Sequence, residues 1–194
     1  MQTFDWIVIG GGITGAALGY ELTKKGFSVL LLEQNATPQN ATRYSYGGLA
    51  YWSGTTELTR QLCSEGIERH RILSQELDGD TQFRELDLIL TIDADDDPEQ
   101  VATAYRQLAI APALLSVAEA CQMEPLLNPH AIAGALTLRH GHIQPEMTAL
   151  AYCQAAMRAG GEMQIDRVVA FVSENQRIVG VTTPTATYYS ENVV

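Results

Sequence analysis

Several things are scarce in this chain, and each scarcity excludes something. Cysteine occurs only three times, at Cys63, Cys121 and Cys153. The count is odd, the spacing is wide, and no close pair suggests a zinc site or a disulfide framework. Positive charge is also sparse. Twelve Lys and Arg face 23 Asp and Glu, for a net charge of −11 and a pI near 4.7. So acidic a surface repels phosphate backbones and anionic lipid, which argues against nucleic-acid and membrane-surface partners. No stretch approaches the ~20 apolar residues of a membrane span. The opening MQTFDWIVIG lacks the basic segment of a signal peptide. These features together give a cytoplasmic expectation. There is no internal repeat, no low-complexity linker, no G-x-S-x-G elbow, and no Walker lysine after the glycines.

What is present is an alternation of short apolar runs and amphipathic segments, which reads as α/β. Asp5–Gly10 reads as a buried strand and Ile13–Lys25 as a helix, closed by Lys24, Lys25 and Gly26. Phe27–Leu32 (FSVLLL) is continuously apolar, as expected of a parallel strand covered on both faces. A polar, glycine-containing stretch, 35–54, has no long regular element. Glu57–Leu77 then reads as a helix with Leu58, Leu62, Ile67, Leu73 and Leu77 inward. Phe83–Ile92 is a strand, Glu99–Leu108 a helix, and Ser116-x-x-Glu119 a capping box. Met123–His130 is a loop and Ile132–Leu138 a strand. Pro145 opens a helix whose run is Met147, Leu150, Cys153 and Met157, and Gly160-Gly161 stops it. Val168–Val172 and Ile178–Thr183 form a hairpin, and Thr187–Val194 is a last strand.

The chemistry lies in Gly10-x-Gly12-x-x-Gly15. A chain of this length would show roughly 0.07 such matches by chance, and here the pattern follows a strand and opens a helix, as a dinucleotide site requires. Gly10 permits the tight turn, Gly12 the approach of a pyrophosphate, and Gly15 close helix–strand packing. The free N–H groups and positive end of the helix receive the pyrophosphate. Glu33 stands about 20 residues on, at the end of the second strand, where an acid accepts hydrogen bonds from ribose hydroxyls and repels a 2′-phosphate. NADP is therefore disfavoured. The fingerprint alone leaves NAD and FAD open. The long excursion after Glu33, with a hairpin returning only near residue 168, favours the two-domain layout of a flavoprotein and FAD as cofactor.

Other candidates carry less. Arg139-His140-Gly141-His142 has two histidines at i, i+2 but no Cys, Asp or Glu cluster to complete a metal site, and reads as a turn before the Pro145 helix. Asp93–Asp97 lacks the glycine and distal Glu of a calcium loop. His70 and His130 have no partner readable from sequence. No metal is expected.

The opening DWIVIGGGITGAALGYELTKKGFSVLLLEQ, with NATRYSYGGLAYWSG, LSVAEACQMEPLL, HGHIQPEMTALAYCQAAMRAGGEM, RVVAFVSENQRIVGVTT and YYSENVV, resembles the N-terminal part of the FAD-dependent D-amino-acid oxidase family, which includes glycine oxidase and sarcosine oxidase. The resemblance implies an FAD-binding Rossmann-like domain (1–54 and 140–194) with an inserted, incomplete mixed or antiparallel substrate domain (55–139). It implies that Gly10, Gly12, Ile13, Thr14 and Gly15 line the pyrophosphate, and that Glu33, with the Gln34 backbone, holds the adenosine ribose. Ala41, Thr42, Ser45, Gly47 and Gly48 would approach the pyrophosphate and flavin, and Val168 the adenine through its backbone. Tyr44-Ser45-Tyr46 is bulkier than the family's usual small residues. Tyr51 and Trp52 either face the flavin or substrate or are simply packed aromatics.

The activity implied is oxidation of a small amine or amino acid, with hydride transfer to flavin and oxygen as acceptor. The alternatives are a same-fold dehydrogenase of a 2-hydroxy acid or polyol, and a truncated, non-catalytic fragment or half of a split flavoprotein. The family pattern continues past the point where Val194 ends this sequence, so a fragment with poor flavin retention is expected. No catalytic residue is assigned.

Overall fold

The computed structural model describes residues 2–37 and 39–194. Met1 of the opening segment and Pro38 of the polar stretch after Glu33 lie outside the described residues. In chain order the elements are β1 (Gln2–Thr3), β2 (Trp6–Ile9), α1 (Ile13–Lys24), β3 (Val29–Glu33), α2 (Ala41–Tyr44) and β4 (Gly48–Leu49). There follow α3 (Glu57–Glu76), β5 (Arg84–Asp93), α4 (Pro98–Tyr105), β6 (Ala113–Leu115), α5 (Val117–Met123) and β7 (Ile132–His142). The chain closes with α6 (Pro145–Arg158), β8 (Glu162–Ile165), β9 (Ala170–Glu174), β10 (Arg177–Thr182) and β11 (Thr187–Tyr189). They divide between two compact units, one of Met1–Gly47, Ile72–Gln82 and Ile143–Val194, the other of Gly48–Arg71 and Phe83–His142.

The first unit is built on a parallel sheet in the order β2-β3-β8. Every residue of β3 is buried, and its side chains alternate between two cores. Leu31 packs with Ala16, Tyr20, Leu73, Leu77 and Tyr152 on the helical side. Leu30 and Leu32 pack with Phe4, Ile7, Val181 and Tyr188 on the other, beneath the sheet β1-β11-β10-β9. The apolar run is therefore buried on both faces from Val29 to Leu32; Phe27 and Ser28, read as part of the strand, precede it and are exposed.

Helices α1 and α6 pack through small residues, and this changes the expected stripe on α6. Thr148, Ala149, Ala151, Tyr152, Cys153, Ala155 and Ala156 are buried, whereas Leu150 and Met157 of the expected run are exposed. Close helix approach selects small side chains, so the largest apolar residues do not mark the inner face. A similar correction applies to α3. Ile67, Leu73 and Leu77 are inside as expected, but Leu58 and Leu62 are exposed at 64% and 58%.

The strand β8 has no counterpart in the sequence reading. EMQI is short, half polar and only partly buried, so it carries little periodicity, yet it is the third parallel strand. The last expected strand is shorter than read. It ends at Tyr189, and after a turn held by the Ser190 hydroxyl on Asp5 O, Val193 bridges to Ile7 in parallel.

The second unit is an antiparallel sheet in the order β4-β7-β5, with β6 also pairing β7. The capping box of Ser116 and Glu119 forms as read. Arg139–His142 is not the expected turn. It is the end of β7, because both edges there find partners, Arg84–Asp87 on one side and Gly48–Leu49 on the other.

Leu77→Ala opens a void in a core where the side chain has no exposure, and is expected to cost about 3 kcal/mol. Leu58→Ala should stay within about 0.5 kcal/mol. Urea unfolding of the two variants measures the contrast.

Candidate functional site

The turn between β2 and α1 is shaped by its glycines. Gly10 has φ +105°, a left-handed conformation that L side chains rarely adopt, and its N–H donates to Leu32 O at 2.8 Å. A Cβ on Gly15 would run into the Gly10 carbonyl, so α1 can start this close to the turn only with glycine there. Gly19 is less demanding, since a Cβ would make ordinary contact with Leu31. Gly12 is the N-cap of α1 and brings no side-chain cap. The first N–H groups of a helix have no intrahelical partner; the hydroxyl of Thr42 accepts that of Ile13 at 2.9 Å.

Glu33, at the end of β3, is 5% exposed. A buried carboxylate is stable only if its oxygens are hydrogen-bonded. One oxygen accepts the Gly11 N–H at 2.8 Å and the other the Asn35 N–H at 3.1 Å. A carboxylate has about four acceptor positions, so capacity remains for hydroxyl donors. A Cβ at Gly11 would lie 3.2 Å from Glu33 Cβ, so the missing side chain lets the acid reach the turn.

Two clefts meet at Glu33. One, of about 350 Å³, is lined by the turn Gly10, Gly12, Ile13, Thr14 and Gly15, by Glu33 and Gln34, and by Gln39, Asn40, Ala41 and Thr42. No lysine or arginine is among its described lining residues, so an anion there would be held by backbone N–H groups and the helix dipole. The other, of about 200 Å³, is lined by Ile9, Gly10, Leu32, Glu33, Gln34, Asp166, Arg167 and Val168. A glycine turn at a helix start, a buried carboxylate with spare acceptor capacity, and a cleft on each side fit the pyrophosphate, ribose and adenine of an ADP group.

The expected site residues thus fall into separate places. Gly10, Gly12, Ile13, Thr14, Gly15, Glu33, Gln34, Ala41 and Thr42 share the larger cleft, and Val168 shares the smaller with Glu33 and Gln34. Ser45, Gly47 and Gly48 lie in neither. The Ser45 hydroxyl accepts the Gly47 N–H at 3.1 Å, and Gly47 has φ +79°. Gly48 opens β4 in the second unit. Tyr44 and Tyr46 are exposed. Several residues at the site were missing from the sequence reading, among them Gly11, Asn40 and Arg167. Gly11 is the first unspecified position of the motif, and its being glycine was the available signal. Asn40 caps α2, accepting the Arg43 N–H at 3.1 Å; an Asn before a short helical run was the signal for it. Arg167 carries no signal of its own. Among the described residues, no group of three His, Cys, Asp or Glu side chains could hold a metal ion.

A third cavity, of about 260 Å³, lies on the α6 side of Glu33, with Cys153, Met163 and Ile165 in its lining. Burial, with a smaller contribution from the Glu33 charge, pushes the Cys153 thiol up to about 11. Because the thiolate is the reactive form, iodoacetamide at pH 8 is expected to modify the partly exposed Cys63 and Cys121 before Cys153, as read by peptide mass spectrometry. Gly15→Ala is expected to destabilise the fold by about 1–3 kcal/mol, as read by thermal or urea melting.

The model of the FAD dependent oxidoreductase family (DAO) matches residues 5–194. The structure of glycine oxidase from Geobacillus kaustophilus superposes with a TM-score of 0.86 at 26% identity, covering 100% of this chain and 55% of that one. Among curated proteins, 4-methylaminobutanoate oxidase (formaldehyde-forming) of Paenarthrobacter nicotinovorans is 27% identical over 97% of this chain and 23% of its own length. A subunit of the anaerobic glycerol-3-phosphate dehydrogenase of Escherichia coli K12 is 26% identical over 93% of this chain and 33% of its own length. The chain therefore spans a third or less of these two curated relatives and about half of the glycine oxidase structure. Its architecture is the Rossmann-like FAD-binding fold with an inserted antiparallel subdomain, and the chain belongs to the FAD dependent oxidoreductase family.

Proposed function

We propose that this chain forms the FAD-holding part of an oxidoreductase that oxidises a small amine or amino acid. The observation that carries the reading is Glu33, buried, anchored by the Gly11 N–H and placed where two clefts meet. When bound, FAD supplies the acceptor for a hydride from the substrate's α-carbon, and oxygen then takes the electrons.

The chain's own residues bind and orient. Gly10, Gly12 and Gly15 bring the start of α1 to the pyrophosphate, with Ile13 and Thr14 beside it. Glu33 accepts the ribose hydroxyls and, as a buried anion, rejects a 2′-phosphate. Gln34 flanks the ribose through its backbone, and Val168 closes the adenine side. Ala41 and Thr42 cover the phosphates from α2. Ser45, Gly47 and Gly48 lead from there toward the flavin ring. The first unit is the FAD-binding part and the second belongs to the substrate domain. Two relatives support the amine or amino-acid class: one carries the name glycine oxidase and the other that of a methylaminobutanoate oxidase.

A second reading has its own observation. Aerobic glycerol-3-phosphate dehydrogenase of Escherichia coli K12 is 44% identical over 77 residues, 38% of this chain. On that reading the substrate is a polyol phosphate and the electrons go to an acceptor other than oxygen.

Titration with FAD tests the cofactor site. Glu33→Gln removes the charge from the acceptor and is expected to weaken FAD by about 1.5–3 kcal/mol, with α1 and the fold retained by circular dichroism. Unchanged affinity would remove Glu33 from the site. In the oxidoreductase of which this chain forms the FAD-holding part, bleaching of the bound flavin by small amines or amino acids, with peroxide released in air, is expected. Bleaching by glycerol 3-phosphate alone would favour the second reading.

A further inference from the structure

Two consecutive aromatic residues leave β4 and take partners on opposite faces of the antiparallel sheet. The Tyr51 hydroxyl donates to Glu85 Oε1 at 3.0 Å, and Arg71 donates to the same oxygen at 2.8 Å. The Trp52 indole N–H donates to His140 Nδ1 at 3.1 Å, with the rings 6.4 Å apart and inclined at 54°. Glu85 pairs with Gly141 across the strands and Leu86 with His140. Adjacent strand residues point to opposite faces, so the two bonds grip the 48–54 segment from both sides.

The two bonds respond differently to protons. An indole N–H is a donor only. Its bond to Nδ1 therefore requires a neutral imidazole whose proton sits on Nε2. A proton on Nδ1 would set donor against donor, inside a residue that is 4% exposed. Among the described residues of β5 and β7, two charged or titratable groups share this face with His140. His142 lies two residues on along β7, and Arg84 stands opposite it on β5. Leu86 faces His140 directly. Glu85 and Asp87 alternate to the other face, where Arg71 and Arg139 engage them. Burial first, and the neighbouring His142 second, hold His140 below its ordinary value of 6.5.

We propose that His140 is a positioning residue whose unprotonated Nδ1 latches Trp52, holding the segment that follows Gly48 against the sheet, and that a proton on this nitrogen releases it. The proposal deepens the reading above, because that segment continues the stretch assigned to the flavin. The latch itself is a property of the second unit alone. The sign follows from the depressed folded value: the contact is fully intact above the unfolded value and is lost as pH falls through the lower, folded one. The Tyr51–Glu85 bond keeps its charged acceptor to lower pH, since Arg71 first and Tyr51 after it hold the Glu85 carboxyl below its ordinary value. The segment would then stay tethered at Tyr51 and at the Trp52 carbonyl, which accepts the Ile110 N–H at 3.2 Å, while the indole alone swings free.

The chain has two tryptophans, so Trp6→Phe leaves Trp52 as the only reporter. Its emission is followed from pH 8 to pH 4.5 without FAD, with far-UV circular dichroism measured alongside. A red shift with one midpoint below 6.5 is expected while the circular dichroism is still constant. His140→Asn supplies a carbonyl acceptor that does not titrate, and should hold the emission at its high-pH position throughout. His142→Gln should keep the transition and move its midpoint upward. Emission that is flat while the dichroism holds, or that moves only with loss of the dichroism, overturns the latch. So does a transition that survives His140→Asn or vanishes in His142→Gln. Because the emission is read without cofactor, failure of the FAD reading shows separately, in the FAD titration.

Discussion

The bond from the Gly11 N–H to the Glu33 carboxylate joins the two halves of the proposed cofactor site. It ties the turn after β2 to the end of β3, and it satisfies an acid that burial would otherwise penalise by several kcal/mol. A side chain at position 11 would crowd Glu33. The cleft along the glycine turn and the cleft toward Val168 share Glu33 together with Ile9, Gly10 and Gln34. The positive φ of Gly10 and the absent Cβ of Gly15 serve the same junction, because they let α1 begin close enough for its N-terminus to face the larger cleft.

The junction is rigid because of what lies behind it. Strand β3 is buried on both faces, Leu31 in the core with α1, α6 and the end of α3, and Leu30 and Leu32 in the core beneath the second sheet. A slip of one residue would exchange the two sets of side chains and bring Glu33 out of reach of Gly11. The helical side is closed by side chains as small as alanine and by Tyr20, whose hydroxyl donates to Glu76 at 3.1 Å. On the far edge of β2, the Ile9 N–H donates to Val194 O at 2.7 Å, so the last residues of the chain help fix the strand that delivers the glycine turn.

Much of the candidate site's geometry was legible in the sequence because it depends on backbone constraints that few residue types satisfy. Gly10, Gly12, Gly15 and Glu33 are recognisable by type and spacing, and β3 by its unbroken apolar run. What escaped depends on tertiary packing. The inner face of α6 is marked by alanines, so selecting Leu150 and Met157 put its stripe on the wrong residues. The edge strand β8 has too little burial to show a period. Arg139–His142 looked like a turn because its pairing partners, Arg84–Asp87 and Gly48–Leu49, are distant in sequence. The bonds of Trp52 to His140 and of Tyr51 to Glu85 join positions that no local pattern relates.

Displacement of bound FAD by nucleotide fragments tests the central claim, that the glycine turn and Glu33 together hold an ADP group, most directly. ADP-ribose should displace FAD, and its 2′-phosphorylated form should fail at the same concentration, with the difference erased in Glu33→Gln. Equal displacement by both fragments in the unsubstituted chain, or by neither, would contradict the account.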